Sequence, residues 1–254
     1  MPHTTASHGV FDRIRSFAGS EQARCHACAF KSRCLPAELA GDALDEFEGS
    51  VARQTRPVKA GQVLVRQGEP MHALFALRVG SLKAVIRTPD GADQIIGFRF
   101  PGSVIGLAEL EGLVWERTLI ALEDAWVCRI PTTAIDATLR RQLLKLMSER
   151  LRREYNYHFA LVFKSSAEKL ALFLLDISET RRQWNFTAES FTLAMNNLEL
   201  ANYLGMRHES LSRTFAKLER WGLLEKSAKR VRLRSVDELE KLAGRMPIRS
   251  TAAA

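Results

Sequence analysis

The chain has 254 residues, 46% apolar and 26% charged, with 37 Lys and Arg against 29 Asp and Glu for a net charge of +8. This length suffices for one large domain or two ordinary ones with a buried core, and the composition excludes a disordered chain. No apolar run reaches the roughly 18 residues of a membrane span, and the first residues lack the apolar core of a secretory signal, so we expect a cytoplasmic protein without membrane contact.

Three of the four cysteines fall in the stretch CHACAFKSRC, at Cys25, Cys28 and Cys34, and the fourth is Cys128 in AWVCRIP. Because cytoplasmic thiols are kept reduced, the spacing C-x2-C-x5-C with a distant fourth cysteine favours metal or redox chemistry over disulfides. Four thiolates suit a tetrahedral metal ion or an iron–sulfur cluster. The alternatives are a structural zinc on the first three cysteines with Cys128 or His26, and four inert thiols.

Residues 1–24 are polar and weakly patterned, and an amphipathic helix is predicted at 36–49, beginning at Pro36 and ending at Gly49. Between about residues 51 and 131, glycines separate short β-type runs: GQVLV, ALFALRVG, SLKAVI, QIIGFRF, SVIGL, TLIAL and WVCRI. The stretch TPDGAD predicts a turn between two strands, because Asp-Gly accepts positive φ. Short strands at this spacing predict an antiparallel barrel or roll.

From Thr132 the pattern becomes helical over roughly 30 residues, with an apolar seam that repeats every three or four residues. The seam consists of Leu144, Met147, Leu151, Tyr155, His158 and Val162. A single seam on so long a helix needs a partner, and we predict a two-fold dimer helix; packing on the protein's own barrel is the alternative. Glu154 lies on this helix, where two-fold pairing would bring its negative charge close to that of Glu154 in the second copy.

The stretch NNLELANYLGMRHESLSRTFAKLERWGLL predicts two helices joined by a tight turn. Gly205 is expected to end the first helix in the left-handed conformation, and Gly222 to close the second. The following EKSAKRVRLRS predicts a β-hairpin wing, in which Val231 and Leu233 alternate with arginines. The expected inward-facing residues of the two helices are Leu198, Leu200, Ala201, Leu204, Leu211, Phe215 and Leu218.

Residues 200–234 hold nine Lys and Arg against three Glu, most of the chain's positive excess. Such clustering predicts contact with nucleic-acid phosphates; a helical hairpin with a solvated basic face is the alternative. Glu209, Ser212 and Arg213 share one face near the start of the second helix, where side chains can read base edges, although Glu209 could also compensate the helix terminus. The predicted DNA-contacting set is Arg207, His208, Glu209, Ser212, Arg213 and Lys217.

These motifs together resemble the CRP/FNR superfamily of bacterial transcription regulators over nearly the whole chain. GQVLVRQGE and LRVGSLK are similar to the family's roll, and LGMRHESLSRTFAKLERWGLL to its recognition segment. The resemblance implies an α+β fold with an N-terminal antiparallel β-roll of the cyclic-nucleotide-binding type, a long dimerisation helix and a C-terminal winged helix-turn-helix. The implied domains are a cysteine-containing sensor segment (1–36), the roll (37–131), the dimerisation helix (132–164) and the DNA-binding domain (165–254).

Within the superfamily, the E-S-L-S-R run and the cysteine layout resemble the FNR branch, including a last cysteine just before an R-I-P strand end. The resemblance implies an oxygen-labile 4Fe–4S cluster held by Cys25, Cys28, Cys34 and Cys128. It further implies that the cluster promotes a homodimer, which binds double-stranded DNA at TTGAT-type half-sites in an inverted repeat and contacts RNA polymerase.

The alternative within the superfamily is a cyclic-nucleotide sensor. By resemblance, such a sensor binds the ribose with a Gly-Glu pair and the phosphate with an Arg-Ser pair that follows it in the sequence. Arg117 and Thr118 could supply the phosphate pair, but Leu107 stands where the ribose-binding Glu is expected, and the cysteines have no role in this alternative.

An enzyme is the alternative from another class of protein. The chain has no phosphate-binding glycine loop, no H-E-x-x-H and no G-x-S-x-G, so we expect no catalytic activity.

Overall fold

The structure is a computed structural model that describes residues 24–52, 56–184 and 186–244. The sequence prediction for residues 1–24 lies outside the described residues except at Arg24. The chain divides into two compact units between Leu151 and Arg152, and each unit is described by itself.

The first unit is a roll of two four-stranded antiparallel sheets, as the glycine-punctuated pattern predicts. Every predicted strand is present, whereas the short β1 had no sequence signal. One sheet runs in the order β1 (Arg56–Val58), β8 (Ala125–Pro131), β3 (Ala73–Val79) and β6 (Val104–Ile105). The other runs in the order β2 (Val63–Val65), β7 (Thr118–Ala121), β4 (Leu82–Arg87) and β5 (Asp93–Arg99).

The core of the roll lies between the two sheets, where Leu74, Leu77, Leu82 and Leu119 are almost completely buried. The predicted turn between β4 and β5 is confirmed, with Gly91 at φ +83°. Burial alternates along β7, as expected when one strand face meets the core and the other meets water.

Before the strands, the cysteine segment forms two 3-10 turns, Lys31–Arg33 and Leu35–Glu38, and is followed by helix α1 at Gly41–Ala52. The helix predicted at 36–49 is therefore wrong at both ends. Leu39 is extended (φ −81°, ψ 141°), which separates the 3-10 turn from α1, and Gly49 lies inside the helix. Helix α1 buries Leu44, Phe47 and Val51 against the roll.

Helix α2 spans Arg140–Phe163 and begins later than the predicted start at Thr132, which lies in a separate 3-10 turn. The carboxylate of Asp136 caps the turn that leads into this helix, since its Oδ1 accepts hydrogen bonds from the N–H groups of Thr138 (2.9 Å) and Leu139 (3.2 Å). In the described part of the chain, no helix is long and apolar enough to span a membrane.

The second unit is a set of helices around a three-stranded sheet of order β10–β11–β9. The predicted pair of helices and the hairpin wing are both present. Side-chain caps at Ser165 and Asn196 begin α3 and α4 respectively. The elements after α2 are α3 (Ser166–Gln183), β9 (Ser190–Thr192), α4 (Asn197–Tyr203), α5 (His208–Arg220), β10 (Leu224–Ser227), β11 (Arg230–Leu233) and α6 (Val236–Ala243).

Candidate cluster pocket and DNA-binding surface

All four cysteines line one pocket of the first unit, which we call the cysteine pocket. Cys25, Cys28 and Cys34 come from the segment before α1. Cys128 comes from β8, where it pairs with Ala76 of the neighbouring β3. The rest of the lining is mostly apolar and includes Phe30, Pro36, Phe47, Val51 and Ile130, together with the cations Lys31 and Arg78. The fold thus brings the distant cysteine to the three that are close in sequence.

Local turns place the three N-terminal thiols at the cysteine pocket. The N–H of Cys28 donates to the carbonyl of Cys25 (3.2 Å), and that of Lys31 donates to the carbonyl of Cys28 (3.1 Å). The N–H of Cys34 then donates to Lys31 (3.0 Å), and that of Ala37 to Cys34 (3.2 Å). Each bond spans three residues, so the segment is a chain of turns, whereas Cys128 is fixed in a sheet.

The thiols affect one another electrostatically. Burial, together with the nearby Cys128 and Cys28, raises the pKa of Cys25 to about 12, while Arg78 opposes the shift. Burial likewise raises the pKa of Cys34, with Cys28 adding to the effect, although part of this residue is accessible. Without a cation both thiols stay protonated at neutral pH, and a bound metal would reverse this because it stabilises thiolates.

His26 does not line the cysteine pocket. Its Nε2 lies 2.7 Å from Oδ1 of Asp45, and its backbone N–H donates to Glu48 (3.1 Å). Among the described residues, no three His, Cys, Asp or Glu side chains are grouped as ligands of one metal ion.

The seam of α2 is exposed. Leu144 is 64% exposed, Leu151 52%, Tyr155 64% and Val162 73%; Met147 and His158 are also exposed, and Glu154 is half-buried. Two further apolar residues, Phe159 and Phe163, extend this exposed surface.

A different face of α2 packs on the roll. Leu139 is buried in the core, and Leu143 and Leu146 lie against it, whereas Leu144 and Met147 point elsewhere. Within the first unit, the roll therefore does not cover the exposed seam residues Leu144 and Met147, as the alternative of packing on the protein's own barrel would require.

Helix α5 presents the predicted DNA-contacting residues on its exposed face. Leu211, Phe215 and Leu218 face inward, as predicted. In α4, Leu200, Ala201 and Leu204 are buried, but the inward prediction for Leu198 is wrong, since this residue is 65% exposed. The exposed set contains Arg207, His208, Glu209, Ser212, Arg213 and Lys217.

The turns around α5 have the predicted chemistry. Gly205 has φ +62° and Gly222 has φ +70°, the left-handed conformation that glycine adopts at little cost. Arg207 occupies the N-cap position of α5 in extended conformation and makes no side-chain cap. The Lys217 ammonium lies 4.6 Å from the ring centre of Trp221, so its aliphatic stem is held on the helix surface. In the wing, Val231 and Leu233 are buried and the alternating arginines are exposed.

Within the second unit, a pair of tyrosines joins α2 to the helix-turn-helix. The Tyr157 hydroxyl donates to the carbonyl of Tyr203, the last residue of α4, and the two rings stack with centroids 4.5 Å apart. Phe173 of α3 packs edge-on against Tyr203. Burial raises the pKa of Tyr157 far above its ordinary value, so this phenol stays a hydrogen-bond donor. Tyr157 belongs to no recognised motif, and nothing in the helix-turn-helix stretch that contains Tyr203 indicates this partner, so the sequence carried no signal for the contact.

The residues of the alternative phosphate site have partners inside the roll. Nε of Arg117 lies 2.6 Å from Oε1 of Glu109, which is only 3% exposed. This is ion-pair distance, although the N–H direction misses the geometry of a good hydrogen bond. The Thr118 hydroxyl oxygen accepts from the backbone N–H of Gln67 (3.1 Å), and Leu107 is buried. A cyclic nucleotide would have to displace the buried carboxylate of Glu109.

Comparison with known proteins agrees with this arrangement. Residues 55–142 match the family described as cyclic nucleotide-binding domain, and residues 168–242 match the Crp-like helix-turn-helix domain. The chain is 36% identical to the transcriptional activator protein anr of Pseudomonas aeruginosa, over 88% of this chain and 93% of that protein. It is 30% identical to the fumarate and nitrate reduction regulatory protein of Escherichia coli, over 92% and 95%. Its fold is similar to that of FixK2 from Bradyrhizobium japonicum, with a TM-score of 0.68 at 24% identity, over 76% of this chain and 98% of that one.

Proposed function

The chain belongs to the CRP/FNR family of DNA-binding transcriptional regulators and is not an enzyme, and from this premise we propose that it responds to oxygen through a 4Fe–4S cluster on Cys25, Cys28, Cys34 and Cys128. The convergence of these four cysteines on one pocket is the observation that carries the proposal. The names of relatives that regulate fumarate and nitrate reduction support it.

The residues of the cysteine pocket fit such a group. Four thiols match the usual ligand set of a 4Fe–4S cluster, and the apolar lining limits access of water. Arg78 places positive charge beside thiolates that would otherwise repel one another. When bound, a cluster of this kind supplies iron and sulfide that oxygen can oxidise.

The ligand residues differ in how firmly the chain holds them. Cys128 is in a strand that pairs with β1 on one side and β3 on the other, while the other three thiols depend on local turns. Local turns open at lower free energy than paired core strands. We propose that loss of the cluster releases the N-terminal segment and leaves the roll intact.

The seam of α2 is proposed as the surface of a homodimer. An exposed stripe of large apolar residues on one helix is stabilised when a second copy covers it. Two-fold pairing would place the two α5 helices about 34 Å apart, one turn of DNA. The half-buried Glu154 lies beside this stripe, where repulsion between the two copies would oppose pairing.

Helix α5 is proposed to read a TTGAT-type inverted repeat in the major groove of double-stranded DNA. Arg213 can donate two hydrogen bonds to guanine, Glu209 can accept one from cytosine, and Ser212 suits several base edges. Arg207, His208 and Lys217 lie at the ends of this face and would contact phosphates. By family likeness, the DNA-bound dimer would act on RNA polymerase in the cytoplasm.

A direct test of the proposal is purification without oxygen, followed by assays of iron, sulfide, visible absorbance and operator binding before and after admission of air. We expect a brown protein with about four irons per chain that bleaches in air as operator affinity falls. A colourless protein with air-independent binding would contradict the proposal. Zinc analysis and cyclic-AMP titration of the same sample would then test the two alternatives.

The base-reading assignment predicts that Arg213→Ala costs about 1–3 kcal/mol of discrimination between an operator duplex and a scrambled duplex. Fluorescence anisotropy with both duplexes measures this difference. Lys217→Ala is the control, since Lys217 is exposed on the same helix and is proposed to contact a phosphate. This control should weaken binding to both duplexes alike and lower the salt slope by about one. Equal loss on both duplexes for Arg213→Ala would make Arg213 a phosphate contact instead.

A further inference from the structure

Gln142 is a polar residue in an apolar position. It lies in the first turn of α2 and shares one helix face with Leu139, Leu143 and Leu146, a set that we call the core-facing stripe. Only 2% of Gln142 is exposed, while the leucines around it pack against the core of the roll. Burial of an amide is unfavourable unless its polar atoms form hydrogen bonds, so the contacts of this side chain indicate its role.

The amide of Gln142 contacts a proposed cluster ligand. Its Nε2 donates to the backbone carbonyl of Cys34 at 3.0 Å, across 108 residues of sequence. The same carbonyl also accepts from the N–H of Ala37 (3.2 Å), so Cys34 has a local partner without Gln142. Oε1 of Gln142 is buried and accepts no hydrogen bond from the residues that the structure describes.

The balance of these contacts argues against a purely stabilising role. One hydrogen bond contributes modestly to stability, and an unsatisfied buried oxygen costs a comparable amount. An unbranched apolar side chain in this place would keep the packing and remove the unsatisfied oxygen. The remaining distinctive property of Gln142 is that it connects the Cys34 backbone to the first turn of α2.

We propose that Gln142 is a positioning residue that transmits the state of the Cys34 turn to the seam of α2. This inference rests on the proposed function, because it assigns Cys34 to the cluster. The seam begins at Leu144, only two residues after Gln142, so the same helical turn carries the buried amide and the first exposed seam residue. When the Cys34 turn is ordered, its carbonyl fixes the first turn of α2. When that turn opens, the hydrogen bond is lost and the core-facing stripe alone holds the helix.

The test compares Gln142→Met with the wild-type full-length protein. Methionine has a similar length but cannot donate a hydrogen bond. Each protein is purified without oxygen, its iron is measured, and its affinity for a duplex with two inverted TTGAT half-sites is determined before and after exposure to air. For Gln142→Met we expect wild-type iron content and unchanged or higher thermal stability. The ratio of the dissociation constant after air to that before air should be about threefold to tenfold smaller than in the wild type.

Leu146→Met is the matched control, because it changes the same core-facing stripe without removing a hydrogen bond. It should leave the ratio at the wild-type value. A second measurement uses the anaerobic, cluster-containing protein, in which amide hydrogen exchange across residues 34–39 should be about threefold or more faster in Gln142→Met.

The possible failures can be told apart. A wild-type protein with no iron and no response to air would overturn the proposed function, and with it the role assigned to Gln142. A wild-type protein that responds to air, with an unchanged ratio in Gln142→Met, would overturn the positioning role alone. Wild-type hydrogen exchange in the anaerobic, cluster-containing variant would also overturn it, because the connection between Gln142 and Cys34 would then have no energetic effect.

Discussion

Cys128→Ala should reduce the iron of anaerobically purified protein from about four atoms per chain to well under one, since a 4Fe–4S cluster depends on its four thiolates. Operator affinity should fall to that of air-exposed wild-type protein and should no longer respond to air. The reason lies in the fold: Cys128 is the one proposed ligand on a paired strand, whereas the other three proposed ligands lie in the local turns before α1. Iron assay and anaerobic DNA binding measure both effects.

His26→Ala is the control for this experiment. His26 lies in the same segment as three of the cysteines, but its ring is held by Asp45 outside the cysteine pocket. Its removal should leave the iron content unchanged. Loss of metal in His26→Ala, or zinc in place of iron in the wild type, would favour the mononuclear alternative. Full iron content in Cys128→Ala would show that the cysteine pocket is not the cluster site.

Glu109→Gln should lower the free energy of unfolding of the roll by about 3 kcal/mol, because it leaves the charge of Arg117 without its buried counter-charge. The side chain of Arg117 keeps 17% exposure, so partial hydration places the loss at the lower end of the range for broken buried pairs. Urea or thermal unfolding followed by circular dichroism measures the change.

Two comparisons isolate the ion pair. Lys59→Ala removes an exposed pair with Asp124, 3.0 Å apart, in the same unit and should cost less than about 1 kcal/mol. The double variant Glu109→Leu with Arg117→Met should recover much of the stability, since neither charge then remains buried. A loss for Glu109→Gln no greater than for Lys59→Ala would mean that the pair contributes little. Cyclic-AMP binding by the wild type would show that the pair opens for a ligand.

The sequence predicted best where short-range geometry decides the structure. Gly205 and Gly222 follow helix ends because the chain takes the left-handed conformation at these positions, and glycine, which adopts it at little cost, marks them in the sequence. The strands of the roll are likewise marked by their glycine boundaries. The inward prediction for Leu198 failed because it ignored helical phase: Leu200, Ala201 and Leu204 share one face, and the centre of that face lies roughly 110° around the helix from Leu198.

The sequence predicted least where distant segments meet. Arg117 was singled out from its resemblance to a phosphate ligand, but nothing in the sequence indicated that Glu109 would neutralise it. Gln142 fits an ordinary amphipathic helix, and its contact with Cys34 depends on how α2 packs beside the cysteine segment. The start of the helix predicted at 36–49 was wrong because Leu39 takes an extended conformation between a 3-10 turn and α1.

The division between the two compact units falls inside α2. This position restricts how a sensor domain and a DNA-binding domain of such regulators can be recombined. Residues of α2 beyond Arg152 belong with the helix-turn-helix, to which Tyr157 is fastened through Tyr203. A gene fusion that joins a new sensor to this DNA-reading part must therefore carry the second half of the helix with it. The junction then lies in continuous helical sequence, where each inserted or deleted residue rotates one part by about 100° relative to the other. Recombination within this family is thus limited by helical register, in addition to the compatibility of the domains themselves.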